Sequence, residues 1–181
     1  MIVKSLLAAV VFASSALVAD EVDNESKIRN LHQEADALMK QQEAKEAAAL
    51  LEAAVKLDPD DTKALGKLGM IYTLMLNQPE NAKRHLEHGW GLGDIKCLQA
   101  LGIAIMSTND HKLLKAYEKD FIDNFKNLSG SNVICFFIAA QNRDGRLFNR
   151  LLRDVTEDEI KDSESLARMI ATAAKALANP E

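Results

Sequence analysis

The fold is decided by one stretch of sequence, LGKLGMIY at residues 65–72. Within it Leu65, Leu68 and Tyr72 recur at steps of three and four residues, the spacing of one face of an α-helix. Gly69 lies on the same face, where the lack of a side chain allows a second helix to come close. The stretch therefore predicts an amphipathic helix that packs tightly against a neighbour.

The same pattern returns along the chain at a nearly fixed period. Leu31 precedes Leu65 by 34 residues and Leu98 follows it by 33. In the segments between, Ala47 recurs 35 residues later as Ala82. Self-similarity at this period is typical of helical repeats that stack into a solenoid.

Short polar turns separate the predicted helices. Pro59 disfavours helix at the residue before it, and Pro79 suits the first position of a new helix. Turns of this length fold consecutive helices back on each other as hairpins. Residues 27–126 thus contain three helix pairs, and the apolar run at 132–140 predicts one further helix that is buried on several sides.

With two good copies and one degraded copy of this pattern, the chain resembles the tetratricopeptide repeat family, and together with its N-terminus it resembles an exported bacterial member. The resemblance implies an all-α fold, a right-handed α-α superhelix of about four to five helix pairs. Residues 127–181 would then be C-terminal helices that cap the solenoid. The pattern is clearest at Leu65, Leu68, Gly69, Tyr72, Ala82 and Leu86.

Residues 1–19 have the three parts of a secretory signal, a cationic head, a short apolar run and a tail of small residues. We expect cleavage after Ala19, with Ala16 as the alternative, and an acidic segment at 20–26 before the repeats. The predicted location is the periplasm or the secreted space. A membrane anchor or a core helix is the other interpretation of the same run.

The mature chain has no other segment of transmembrane length, and the whole sequence has a net charge of −5. An acidic balance disfavours nucleic acid and anionic membranes as partners. We therefore expect a protein or peptide partner, whose identity the sequence does not give. The oligomeric state is left open.

Cys97 and Cys135 allow two interpretations, because they could pair in an oxidising compartment or act as small buried hydrophobes. His85 and His88 lie three residues apart on one predicted helix and could face one metal ion. Zinc sites usually need three or four ligands, so solvated histidines are the favoured interpretation. We predict no cofactor and no catalytic residues.

In tetratricopeptide proteins the first helix of each pair lines a concave groove, and the resemblance implies the same here. Met39, Met70 and Met106 would give this groove a soft apolar floor, which suits varied peptides. The predicted groove residues are His32, Asp36, Met39, Lys63, Met70, Thr73, Lys96, Gln99, Ile103 and Met106.

The sequence as a whole predicts a non-catalytic adaptor or scaffold that binds a protein or peptide in the groove. One alternative is a structural protein that assembles with itself through the apolar run at 132–140. A second alternative is a metal-dependent enzyme that uses His85 and His88.

Overall fold

The computed structural model describes residues 23–128 and 132–178, and in these ranges the chain forms helices joined by turns. The predicted signal at 1–19 lies outside the described residues. None of the described helices has the length and apolar character needed to cross a membrane. The predicted all-α helical-repeat fold is confirmed.

Successive helices form pairs, α1 with α2, α3 with α4, α5 with α6 and α7 with α8. The first helix already includes residues 23–26, which the sequence had placed in a separate acidic segment. A short α9 and a final α10 follow, and α10 packs on α7. The helices are α1 (23–40), α2 (Ala44–Leu57), α3 (Thr62–Met70), α4 (Pro79–Gly91), α5 (Ile95–Thr108), α6 (His111–Asp123), α7 (Val133–Gln141), α8 (Gly145–Asp154), α9 (Glu157–Asp162) and α10 (Glu164–Ala178).

Each of the four pairs turns in the same way. One residue takes a left-handed conformation after the first helix, and the next residue is the N-cap of the second helix. At the α5–α6 turn Asn109 has φ 54°, and the N–H of Asp110 donates to the carbonyl of Ile105 at 3.3 Å. The Asp110 carboxylate then caps α6 by accepting from two backbone N–H groups. The other left-handed residues of these turns are Gln42, Asn77 and Arg143.

The second pair contains one extra residue, which a π-helical turn at Ile71–Met75 absorbs. Asn109 stands four residues after Ile105, whereas Asn77 stands five after Tyr72. The N–H of Leu76 accordingly donates five residues back, to the carbonyl of Ile71 at 3.0 Å. This insertion accounts for the 35-residue step between second helices, and π-turns of this kind are frequent at functional sites.

The apolar run at 132–140 forms α7, and Ile134, Cys135 and Phe136 on this helix are completely buried. These side chains pack against α5, α6, α8 and α10 within the same chain. They are therefore not available as the oligomer contact that the self-assembly alternative required. Since α7 and α8 pair through the same turn as the earlier helices, the repeating arrangement continues beyond residue 126.

Candidate peptide-binding groove

A groove of about 590 Å³ runs across the first helices of the first three pairs. Apolar side chains of Met39 on α1, Met70 on α3 and Ile103 on α5 line it. Met70 is 38% exposed, although the neighbouring Ile71 is completely buried. The groove is lined by Met39, Thr62, Lys63, Gly66, Lys67, Met70, Asp94, Lys96, Gln99, Ala100 and Ile103.

Lysine side chains give the groove its charge. Lys67 donates to the carboxylate of Asp36 on α1, so this lysine is neutralised within the chain. The hydrogen bond and the nearby positive charge hold the pKa of Asp36 below its usual value. Lys63 and Lys96 are exposed and have no ion pair among the described residues. The groove thus combines an apolar floor with two available cations.

Six of the ten predicted residues lie together in this groove: Met39, Lys63, Met70, Lys96, Gln99 and Ile103. Asp36 lies beside it and contributes to a neighbouring depression of about 420 Å³ that Arg29 also lines. The family's helix positions therefore bring most of the predicted side chains to one surface.

His32 does not line this groove. The imidazole is only 6% exposed, and its Nε2 lies 2.6 Å from Oδ2 of Asp61. The other carboxylate oxygen of Asp61 accepts from the backbone N–H of Ala64 and so caps α3. His32 therefore ties α1 to the beginning of α3, and its small exposed part lines the neighbouring depression.

Thr73 and Met106 also lie elsewhere. Thr73 is 7% exposed and sits within the π-turn, which changes the direction of its side chain relative to a regular helix. Met106 is partly buried and packs on the core formed by the later helices. Neither residue lines the groove, and their role as partner contacts stays a prediction.

Five lining residues are absent from the predicted set: Gly66, Lys67 and Ala100 within α3 and α5, and Thr62 and Asp94 at the beginning of these helices. Asp94 accepts from the backbone N–H groups of Lys96 and Cys97. Asp94 could have been found by its spacing, since it follows Asp61, the aspartate that caps α3, by 33 residues. The N-cap residue of α5 thus belongs to the wall of the groove.

The two histidines proposed as metal ligands have separate partners. The ring of His85 stacks on Tyr72 with centroids 6.0 Å apart, and burial lowers the pKa of this histidine. Nε2 of His88 lies 2.9 Å from Oδ1 of Asp60. Within the described ranges no group of three histidine, cysteine or acidic side chains is arranged to hold a metal ion.

The cysteines are also apart. Cys97 and Cys135 are both buried. They are separate thiols and do not form the disulfide that the sequence left open. The Cys97 sulfur lies close to Gly89, because a β-carbon at position 89 would be only 2.3 Å from this sulfur. Each thiol fills a space in the core as a small hydrophobe does.

The fold and the groove define a class of protein, the all-α helical repeats that present a concave surface made by the first helices of each pair. A sequence model of the tetratricopeptide repeat matches residues 28–71, which cover most of α1, all of α2 and α3 into its π-turn. Residues 28–71 thus carry a tetratricopeptide repeat. No curated protein and no solved structure matches it. Tetratricopeptide repeats commonly mediate protein–protein interaction, and the family is typically a non-enzymatic scaffold.

Proposed function

We propose that the protein is an adaptor of the cell envelope or the secreted space that binds a peptide segment of a partner protein in the groove between α1, α3 and α5. The observation that carries the proposal is the exposed apolar floor of the groove, with Met70 at its centre. A side chain of this kind gains free energy when a partner removes it from water, about 25 cal/mol for each Å² of apolar surface.

The π-turn next to Met70 supports the same conclusion. Leu74 is 57% exposed, and Met75 is exposed as well. Large apolar side chains that collect on one surface mark interaction sites, whereas isolated ones need no explanation. The π-turn that follows Met70 in the chain thus carries two further exposed apolar side chains.

The location in the envelope or the secreted space is supported by residues 1–19, which have the composition of a secretory signal. Cell fractionation with N-terminal sequencing of the recovered protein tests it. We expect a mature chain that begins at Asp20. A chain that is recovered from the cytoplasm with its first nineteen residues intact contradicts this part of the proposal.

Site-specific photo-cross-linking in the producing cell tests binding in the groove. A photo-reactive amino acid at Lys96 lies in the groove, and the same amino acid at Lys56, on the exposed end of α2, is the control. We expect a discrete cross-linked protein from position 96 and none from position 56. The cross-link should disappear in Met70→Lys.

The matched control is Leu57→Lys, because Leu57 is 39% exposed, as Met70 is, and lies outside the groove. This variant should leave the cross-link unchanged. Equal cross-linking in wild type and Met70→Lys would refute groove binding. A cross-linked product that contains only a second copy of the chain would favour the structural alternative.

A further inference from the structure

Four of the seven arginines of this acidic chain fall within eleven residues, at positions 143, 146, 150 and 153. All four are exposed. Arg146, Arg150 and Arg153 are spaced by four and three residues, so they lie on one face of α8. Arg143 stands in the turn that leads into the helix. We call these four residues the arginine face.

The acidic residues next to the arginine face in the sequence are engaged elsewhere. Asp144 caps α8 by accepting from the N–H groups of Arg146 and Leu147. Asp154 stands four residues after Arg150, a favourable spacing for an ion pair, but its carboxylate lies 3.3 Å from Nζ of Lys126. None of the four arginines has an ion pair among the described residues.

Some other surface cations have an acidic partner on their own helix. Arg168 pairs with Glu164 one turn earlier on α10, and Lys115 pairs with Glu118 on α6. On α8, by contrast, Arg150 has a like charge one turn before it, at Arg146, and another one turn after it, at Arg153. Arg146 also lies in the first turn, where the helix dipole disfavours a cation. This arrangement disfavours the isolated helix, and an anion that is held across the face would reverse that effect.

We propose that the arginine face docks an acidic segment of a partner protein, at a site separate from the groove. The forked guanidinium group matches a carboxylate with two parallel hydrogen bonds. Arg146 and Arg153 are about 10 Å apart along the helix axis, which corresponds to two turns of a helix that carries acidic residues at matching steps. No residue of α8 lines the groove, so both sites can be occupied at once.

The surroundings of the arginine face favour a discrete acidic segment over an extended anionic surface. Helix α9 follows within a few residues, and Glu157 and Asp158 on it are almost fully exposed. A membrane of anionic lipid or a nucleic acid would cover this acidic helix as well, and like charges would oppose that contact. A single acidic segment can lie along α8 without approaching α9.

The test uses the full chain and a fluorescein-labelled peptide rich in glutamate with helical spacing, followed by fluorescence anisotropy at low salt. The variant R146Q/R150Q/R153Q removes three charges of the arginine face. The control K45Q/K56Q/K119Q removes three exposed lysines that have no ion pair among the described residues. Both variants have the same net charge, so a difference between them reports the site.

We expect the arginine variant to bind the peptide at least about 10-fold more weakly than the lysine control, with circular dichroism unchanged. Met70→Lys should bind it as wild type does, which separates this result from groove binding. Equal binding by the two triple variants overturns the proposal. It is also overturned if phosphatidylglycerol vesicles, but not the peptide, distinguish the variants, or if only the self-association of the chain changes.

Discussion

Gly69 on α3 faces Leu86 on α4 so closely that a β-carbon at position 69 would lie 2.1 Å from Cδ2 of the leucine. The two helices of the second pair can touch only because this β-carbon is missing. We expect Gly69→Ala to lower the free energy of unfolding by about 1–2 kcal/mol, because overpacking outweighs the gain in helix propensity of about 1 kcal/mol. Denaturation in urea with detection by circular dichroism measures the change.

Gly91→Ala is the matched control. Gly91 ends α4, and a β-carbon there would meet nothing within 4 Å. This substitution should leave the stability unchanged or raise it by up to about 1 kcal/mol. If the two alanine variants had the same stability, the close contact between α3 and α4 would not be the reason for glycine at position 69.

Asp36 and Lys67 form an ion pair beside the groove, and its contribution to stability depends on pH. The pKa of Asp36 is lowered in the folded protein, so the stabilisation is present above the unfolded pKa and is lost as the pH falls through the folded pKa. Asp36 is almost half exposed, which limits the effect. We expect Asp36→Asn to cost about 0.5 kcal/mol at pH 7.

The difference between Asp36→Asn and wild type should shrink as the pH falls from the ordinary aspartate pKa of 3.8 through the lower pKa of the folded protein, where the carboxylate of the wild type becomes protonated. Urea titrations over a series of pH values measure it. Glu25→Gln on the same helix is the control, because Glu25 is exposed and has no ion pair among the described residues. A difference that persists undiminished in acid would show that Asp36 acts through packing and not through its charge.

The repeating part of the fold could be predicted because its signals are local. Gly69, Tyr72 and their counterparts recur at a period that reports directly which face of each helix is buried. The π-turn could not be predicted in this way, because its single extra residue shows only as a step of 35 in place of 34. The helix absorbs it without any glycine or proline at Ile71–Met75.

Groove residues could be predicted wherever the position of a residue on the first helix of a pair determines the direction in which its side chain points. His32 departs from the rule because a partner 29 residues away, Asp61, draws it into the interface between α1 and α3. The contact between His32 and Asp61 depends on how α1 and α3 pack against each other. The spacing of residues along a single helix does not reveal this packing. The arginine face needed the structure for a similar reason, since only the positions of Lys126 and the α8 cap show that its neighbouring acids are engaged.

Trp90 is the only tryptophan of the chain, and its indole Nε1 donates to Oδ2 of Asp120 at 3.0 Å, which joins α4 to α6. Asp120→Ala leaves this partly buried donor without its partner. We expect a loss of about 1 kcal/mol in stability and a shift of the fluorescence emission to longer wavelength. Asp123→Ala on the same helix, an exposed residue, should change neither quantity. Identical emission spectra for the two variants would contradict the bond.

Cys97 and Cys135 should behave as two protected thiols in the native protein. Burial raises the pKa of each to about 12, and at Cys97 the charge of Asp94 adds to this effect. The thiolate is the reactive form, so at pH 8 only about one molecule in ten thousand would carry it at either site. We expect Ellman's reagent to react very slowly with the native protein and to titrate two thiols after denaturation without reductant. A denatured, unreduced sample that yields no free thiol would instead show a disulfide. The sulfur atoms of Cys97 on α5 and Cys135 on α7 would then be bonded to each other, which contradicts their packing as separate side chains.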